Sequence, residues 1–219
     1  MKKIAIFGAT GRTGKHLVVE VVSRGYTPVC LVREKSKDKI TDKKAFSILG
    51  SPLEYQDVWE TIDGCDAVLI ALNISRKYNW PWAKVVTPSN LLDITSKNIV
   101  RAMNELGVRR VITVSACGVG DSYSEVNWLF RFLINNTKVG IAYEGHEDQE
   151  RVFRKSELDW TCVRPVALTS ESWILPVRVS FRGEKKLRMT VGRKDVAKFM
   201  LDILDDEKYF QTTPSISMD

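Results

Sequence analysis

The stretch from residue 4 to residue 23 constrains the fold more than any other part of this sequence. An apolar run at 4–7 leads directly into Gly8, Gly11 and Gly14, and a helical pattern occupies 13–23. This order predicts a buried strand, a tight turn and a helix. Gly8 permits the turn, Gly11 lets the backbone approach a ligand closely, and Gly14 lets the helix pack tightly against the strand.

The same turn predicts a phosphate site. Backbone N–H groups at the start of a helix have no partner within the helix, and the helix dipole places partial positive charge there. A strand, a glycine-rich turn and a helix in this order are typical of sites that hold the pyrophosphate of a dinucleotide. Arg12, inside the turn, is a candidate second clamp for a phosphate.

The end of the second predicted strand bears on the choice of cofactor. Sites that prefer NADH usually place a carboxylate there for the ribose 2′-hydroxyl. Here Arg33 follows the strand, and a guanidinium suits a 2′-phosphate and stacks on adenine. We therefore expect NADPH. Glu34 is the alternative, because a register shift of one residue would place its carboxylate at the end of the strand and favour NADH.

Strand-like and helical patterns alternate along the chain. Short apolar runs predict strands at 4–7, 29–32, 45–49, 67–72, 110–115 and 160–164, and helical patterns occupy 13–23, 53–62, 89–106, 144–155 and 194–204. This alternation predicts one α/β Rossmann-like domain over 1–219, a doubly wound parallel sheet of order 3-2-1-4-5-6 with a short seventh strand near 211–216. Substrate-side insertions are expected near 73–87, 118–140 and 167–190.

Composition narrows the class of protein. The 219 residues carry a formal net charge of +6, but lysines and arginines alternate with acids, so we expect no nucleic-acid partner. No apolar run is long enough to cross a bilayer, so we expect no membrane partner. Four dispersed cysteines without a CxxC motif indicate reduced thiols in a cytoplasmic protein. Two distant histidines without spaced acids predict no metal site.

Five segments carry a resemblance to a known family: "IAIFGATGRTG", "LVRE", "DAVLIAL", "VITVSA" and "SELDWTCVRP". They resemble the atypical short-chain dehydrogenases of the NmrA-like group, and most closely the biliverdin reductase B and flavin reductase branch. Members of the group include NADPH-dependent reductases of flavins, biliverdin and quinones. The group also includes redox sensors that bind the dinucleotide without catalysis.

The resemblance implies roles for particular residues. Gly8, Thr10, Gly11, Arg12 and Thr13 would hold the pyrophosphate and adenosine, with Arg33 at the 2′-phosphate. Residues at the ends of three further strands are implied to lie along the ribose and the nicotinamide: Ala71, Leu72 and Asn73; Ser115; and Arg164, Pro165 and Val166. His146 corresponds to a histidine near the substrate in the flavin reductase branch.

One departure from the broader pattern concerns proton donation. Many short-chain dehydrogenases use a Tyr-x-x-x-Lys pair as proton donor, but Ala142 and His146 stand at those two positions. Tyr143 is one residue off, about 100° around a helix. We therefore expect hydride transfer to a small conjugated acceptor, such as a flavin, a quinone or a tetrapyrrole, with Ser115 and His146 as candidate catalytic residues.

Two other functions are compatible with the sequence. A non-catalytic NAD(P)(H) sensor of the NmrA-like kind would explain the missing Tyr-Lys pair. A nucleotide-sugar epimerase or dehydratase would share the glycine turn, but it normally needs the pair and a larger carboxyl-terminal substrate domain. A monomer or weak dimer is expected from the compactness of the family branch.

Overall fold

The strands form the centre of the molecule. The computed structural model describes residues 1–40, 42–170, 176–181 and 183–219. Its strands are Lys3–Phe7 (β1), Thr27–Val32 (β2), Phe46–Leu49 (β3), Ala67–Ile70 (β4), Arg110–Val114 (β5), Asp159–Pro165 (β6), Ala167–Thr169 (β7), Val177–Ser180 (β8), Thr190–Gly192 (β9) and Ser215–Met218 (β10). The main sheet has the order β3-β2-β1-β4-β5-β6-β10-β8, so the predicted order of the first six strands is confirmed.

The carboxyl half of the sheet is larger than the sequence predicts. The expected seventh strand, β10, pairs parallel with β6, and β8 adds an antiparallel edge beyond it. Strands β7 and β9 form a separate two-stranded sheet. These additions follow β6, within and beyond the predicted insertion at 167–190, of which residues 171–175 and 182 lie outside the described part of the chain.

Helices cover both faces of the main sheet. They are Gly14–Ser23 (α1), Tyr55–Ile62 (α2), Leu91–Leu106 (α3), Trp128–Asn136 (α4), Val139–Arg154 (α5) and Arg193–Asp202 (α6). Along β1, Ile4 and Ile6 pack into the core that contains side chains of α1 and α6. Ala5 and Phe7 pack into the opposite core with α2, α3 and α5. This alternation is what a strand buried on both faces requires.

The sequence pattern missed α4 and the first turn of α5. Six of the nine residues of α4 are large and apolar, but they occur in two runs of three, 128–130 and 132–134, and none is buried, so the pattern does not mark a helix face packed on the core. Two glycines, which are poor helix formers, interrupt the pattern of α5. A Cβ at Gly140 would overlap the carbonyl group of Ile134, and one at Gly145 would lie 2.5 Å from the Ile74 side chain. Both glycines therefore permit close packing within a real helix.

Two further features concern the described residues alone. None of the helices found there is long and apolar enough to cross a membrane. The same residues contain no cluster of three or more His, Cys, Asp or Glu side chains that could hold a metal ion.

Candidate functional site

The glycine turn joins β1 to α1 under close steric limits. Gly8 has φ +87°, and a Cβ there would lie 2.6 Å from the carbonyl oxygen of Ala71 at the end of β4. A Cβ at Gly14 would overlap the carbonyl group of Gly8. The Gly11 N–H donates to the same Gly8 oxygen at 2.9 Å. The turn is therefore folded so tightly that larger residues at Gly8 and Gly14 would displace backbone.

This turn leaves backbone donors free at the helix N-terminus. The N–H groups of Arg12 and Thr13 have no acceptor among the described residues, and both precede the ten-residue helix α1. Because α1 has no acidic residue in its first turn, its positive end is not neutralised locally. The glycine turn 8–14 with these free N–H groups, here called the cradle, fits a pyrophosphate. Thr10, Gly11 and Gly14 shape the cradle without lining the adjoining cavity.

Three arginines converge beside the cradle. The pKa values of Arg76 and Arg193 are lowered first by burial and then by the positive charge of Arg12. The buried Nε of Arg76 has no hydrogen-bond partner, and none of the three arginines forms an ion pair with an acid that the structure describes. Like charges held together without counterions mark a site for an anionic ligand.

Arg33 lies at the neighbouring strand end. It follows β2, which pairs with β1 in parallel register up to Phe7 and Leu31, so both strands emerge at the same edge. The Arg33 side chain is exposed and lies outside the cavity lining. Glu34 forms an ion pair with Lys37 at 2.8 Å, at the start of a short 3-10 helix. The carboxylate that would favour NADH is thus engaged by a local cation.

A cavity of about 890 Å³ extends from the cradle along the carboxyl ends of β4, β5 and β6. That volume suits a cofactor and a small substrate. The cavity brings together nine of the residues singled out in the sequence: Arg12, Thr13, Ala71, Leu72, Asn73, Ser115, His146, Pro165 and Val166. Ligands of open α/β sheets bind at this edge.

Ser115 belongs to a buried ionic network that the sequence did not reveal. Its hydroxyl donates to Oε1 of Glu150 at 2.6 Å. Arg164 donates from Nε to the same oxygen at 2.9 Å and from Nη2 to Oε2 at 2.7 Å. Arg164 also pairs with Asp121 at 2.6 Å. Arg164 is therefore turned toward α5 and does not line the cavity, unlike the two residues that follow it.

The network fixes what Ser115 offers to a ligand. Both carboxylate oxygens of Glu150 accept hydrogen bonds from the Arg164 guanidinium in a bidentate contact. Since the single hydroxyl proton of Ser115 points to Glu150, the lone pairs of its oxygen remain available. Ser115 is thus arranged to accept from an N–H group such as a carboxamide, rather than to donate to the substrate.

His146 is buried and not on the surface. It lines the cavity from α5 with 4% of its surface exposed. Burial lowers its pKa, against smaller opposing effects of Gln149 and Glu150. Its Nδ1 lies 3.3 Å from the side-chain amide of Gln149, whose Nε2 is buried with no partner among the described residues. A 180° rotation of that amide exchanges donor and acceptor at Nδ1, so the contact is compatible with either imidazole tautomer. Because its pKa is lowered, the imidazole is uncharged at neutral pH.

Tyr143 also lines the cavity, although the sequence pattern placed it away from the proton-donor position. Its hydroxyl donates to the Cys117 carbonyl oxygen at 3.2 Å, and burial raises its pKa. The tyrosine of a Tyr-Lys pair needs the opposite shift. Tyr143 therefore stays protonated and engaged with the backbone.

The aromatic residues of the two insertions divide between the cavity and the surface. Phe130, on α4, lines the cavity. Tyr78, Trp80, Trp82 and Trp128 are 50–78% exposed. Most of the aromatic residues in the insertions near 73–87 and 118–140 therefore lie outside the cavity.

Four residues of the site have no signal in the sequence: Glu150, which contacts Ser115 without lining the cavity, and three residues that line it. Glu150 lies in a charged helical stretch that resembles a solvated face, and Lys185, Lys186 and Arg188 lie in an irregular segment with no motif. Each enters the site through contacts with residues distant in sequence. A buried acid on α5 beside the serine could have been found only by placing the helix turns against β5.

The chain is similar to proteins of known structure along almost its whole length. A short-chain dehydrogenase/reductase of Veillonella parvula in complex with NADP has a TM-score of 0.79 and 20% identity, with 99% of this chain and 94% of that chain covered. The anaerobilin reductase ChuY of Escherichia coli O157:H7 has a TM-score of 0.79 and 16% identity, covering 99% and 97%. At these identities the likeness shows the shared fold.

A curated relative and a family model complete the comparison. An uncharacterized chloroplastic protein of Arabidopsis thaliana is 29% identical over 175 residues; the match covers 78% of this chain and 60% of that protein, so the chain spans less than two thirds of its length. The model of the NAD(P)H-binding family matches residues 8–207, from the glycine turn past α6. With the cradle and the cavity beside it, this match shows that the chain belongs to the NAD(P)H-binding family.

Proposed function

We propose that this chain is an NADPH-dependent reductase that transfers a hydride to a small conjugated acceptor, in the manner of flavin and biliverdin reductases. Membership of the NAD(P)H-binding family supports the cofactor class. The oxidoreductase fold is shared with an anaerobilin reductase of E. coli, which agrees with reductase chemistry. The cavity at the carboxyl ends of β4, β5 and β6 offers room for an acceptor beside the dinucleotide.

The preference for NADPH rests on charge at the adenosine end. Arg33 is exposed beyond β2 and free of described acids, while Glu34 is paired with Lys37. Arg12 lies nearby in the glycine turn, also without an acidic partner among the described residues. Two unpaired guanidiniums suit a 2′-phosphate, which NADPH has and NADH lacks.

The residues at the other end would hold the reacting groups in position. When bound, reduced nicotinamide supplies a hydride, two electrons and one proton nucleus, to an acceptor in contact with it. The Ser115 oxygen can accept from the carboxamide N–H, and Pro165 and Val166 supply an apolar wall. Positioning of this kind accounts for much of the rate when the acceptor itself delocalises charge.

The observation that favours a conjugated acceptor concerns protons. Ser115 donates its hydroxyl proton to Glu150, Tyr143 donates to a backbone carbonyl, and the buried His146 is uncharged at neutral pH, so it is a weak acid. None of these three side chains is arranged to protonate a nascent alkoxide at neutral pH. Flavins, quinones and tetrapyrroles spread the arriving charge and take their proton from water, whereas a simple ketone needs an acid beside it.

A spectroscopic assay tests the proposal. Purified protein is mixed with NADPH and, separately, with flavin mononucleotide, biliverdin, a benzoquinone or cyclohexanone, and the loss of reduced nicotinamide absorbance is followed. At least one conjugated acceptor should be reduced, and cyclohexanone should not. If NADPH binds at micromolar concentration but no acceptor is reduced, the chain is a dinucleotide sensor and the reductase proposal fails.

A further inference from the structure

The segment 183–189, here called the basic strap, borders the acceptor end of the cavity. It connects β8 to β9, and its backbone is fixed at several points. The Lys185 N–H donates to Ser180 Oγ at 3.0 Å, and the Arg188 N–H donates to Ser217 Oγ at 3.1 Å. The Met189 carbonyl accepts from Ala167 at 3.2 Å. These contacts fix the strap beside Pro165 and Val166, the wall assigned to the reacting end.

The strap presents a concentration of positive charge. Lys185, Lys186 and Arg188 line the cavity and are exposed, and none forms an ion pair with a described acid. Glu184, the only acid of the strap, does not line the cavity. Glu125 lies beside the strap at Gly183. Its Oε1 is 3.7 Å from the point where a Cβ on Gly183 would lie. Glu125 is the one carboxylate among the described lining residues, against six cations.

The cofactor offers no partner for these charges. In a nicotinamide dinucleotide every anionic group is a phosphate of the pyrophosphate or of the adenosine ribose, and none belongs to the nicotinamide end. The cradle with Arg12, Arg76 and Arg193 already supplies cations for the phosphates. The three cations of the strap therefore face the space that remains for the acceptor.

Resting on the proposed reductase function, we propose that the basic strap binds anionic groups of the acceptor. The acceptor is then a conjugated molecule that carries carboxylates or phosphates, and neutral quinones are disfavoured. Lys185, Lys186 and Arg188 act as specificity residues that orient the charged tail of the acceptor at the cavity mouth. Its apolar ring system is left to contact Phe130, Tyr143 and the Pro165 wall.

Matched pairs of acceptors test this inference. Flavin mononucleotide and riboflavin share one ring system and differ by a phosphate; biliverdin and its dimethyl ester share one chromophore and differ by free carboxylates. Wild-type protein should bind the anionic member of at least one pair about tenfold more tightly, measured by fluorescence or absorbance titration without dinucleotide. The value of kcat/KM should be higher for the same member, and added salt should reduce the difference between the two members. Which pair discriminates distinguishes phosphate from carboxylate recognition.

A charge-matched pair of variants locates the effect. The combined Lys185→Gln, Lys186→Gln and Arg188→Gln variant should lose most of the discrimination while its NADPH affinity stays unchanged. The control variant changes Lys43, Lys44 and Lys155 to Gln. These exposed lysines precede the amino ends of β3 and β6, whereas the cavity lies at the carboxyl ends of the strands. It should keep the wild-type preference.

The outcomes separate the two proposals. If no acceptor is reduced, benzoquinone included, the reductase function fails; if benzoquinone alone is reduced, the strap inference fails while the reductase function stands. If acceptors are reduced but both members of each pair bind and react equally, the strap inference fails while the reductase function stands. Equal loss of discrimination in the strap and control variants would also overturn the inference, because it would reflect net charge alone.

Discussion

The two ends of the cavity are built by different means. At the cofactor end, three glycines and the start of α1 form a cradle within seven consecutive residues, and its free donors are backbone N–H groups. At the acceptor end, Ser115, Glu150 and Arg164 come from separate elements and meet through buried side-chain charges. The first end depends on local steric fit, and the second depends on tertiary packing.

The largest effect is expected at the acceptor end. Glu150→Gln keeps the shape of the side chain but leaves Arg164 buried with only Asp121 as a counterion. Loss of one partner of a buried ion pair typically lowers the free energy of unfolding by about 3 to 5 kcal/mol. Chemical denaturation measures it, with Glu147→Gln on the exposed side of α5 as a control within about 0.5 kcal/mol of wild type.

Binding of 2′,5′-ADP sharpens the same comparison. This fragment lacks the nicotinamide and engages only the cofactor end, so its affinity should be unchanged in folded Glu150→Gln. Stability of the variant equal to wild type would mean that the network is not buried as described. A large loss of 2′,5′-ADP binding would mean that the two ends are not separate.

The next effect belongs to the cofactor end. In Gly14→Ala the added Cβ overlaps backbone that cannot move away without opening the turn. We expect NADPH and 2′,5′-ADP to bind more than about 100-fold more weakly, a change of about 2.7 kcal/mol. Gly25→Ala is the control, because Gly25 has φ +75° but open space around it. It should cost stability of about 1 kcal/mol and leave ligand affinity intact. Wild-type affinity in Gly14→Ala would contradict the cradle.

The smallest effect concerns His146 and pH. Its pKa in the folded protein lies below the ordinary value of 6.5, so the unfolded chain binds more protons as the pH falls through that value. The free energy of unfolding should therefore decrease on acidification from pH 7.5 to 5.5, with at most about 1.4 kcal/mol per pH unit from this group. His146→Gln should flatten the slope. His16→Gln is the comparison, since burial and nearby cations lower the pKa of His16 as well. An unchanged slope in His146→Gln would mean that the imidazole is not buried neutral.

The difference between the two ends also explains what the sequence could predict. Strand order and the glycine turn follow from local patterns, because buried strands and tight turns leave signatures in consecutive residues. The residues at the ends of β4, β5 and β6 were implied by the family resemblance instead. The pairing of Glu150 with Ser115 and Arg164 depends on how α5 packs on β5 and β6, which no local pattern reports. The apolar residues of α4 are not buried and the basic strap has no motif, so their positions at the cavity mouth emerge only in the folded chain.

We expect the cradle to hold a dinucleotide whose extra phosphate contacts Arg33. Calorimetric titration of NADPH and NADH into wild type and Arg33→Ala tests it most directly. NADPH should bind more tightly than NADH to wild type, and Arg33→Ala should weaken NADPH binding by about 1 to 3 kcal/mol while barely changing NADH. Equal losses for both cofactors would contradict the role of Arg33, and no binding of either would contradict the cradle itself.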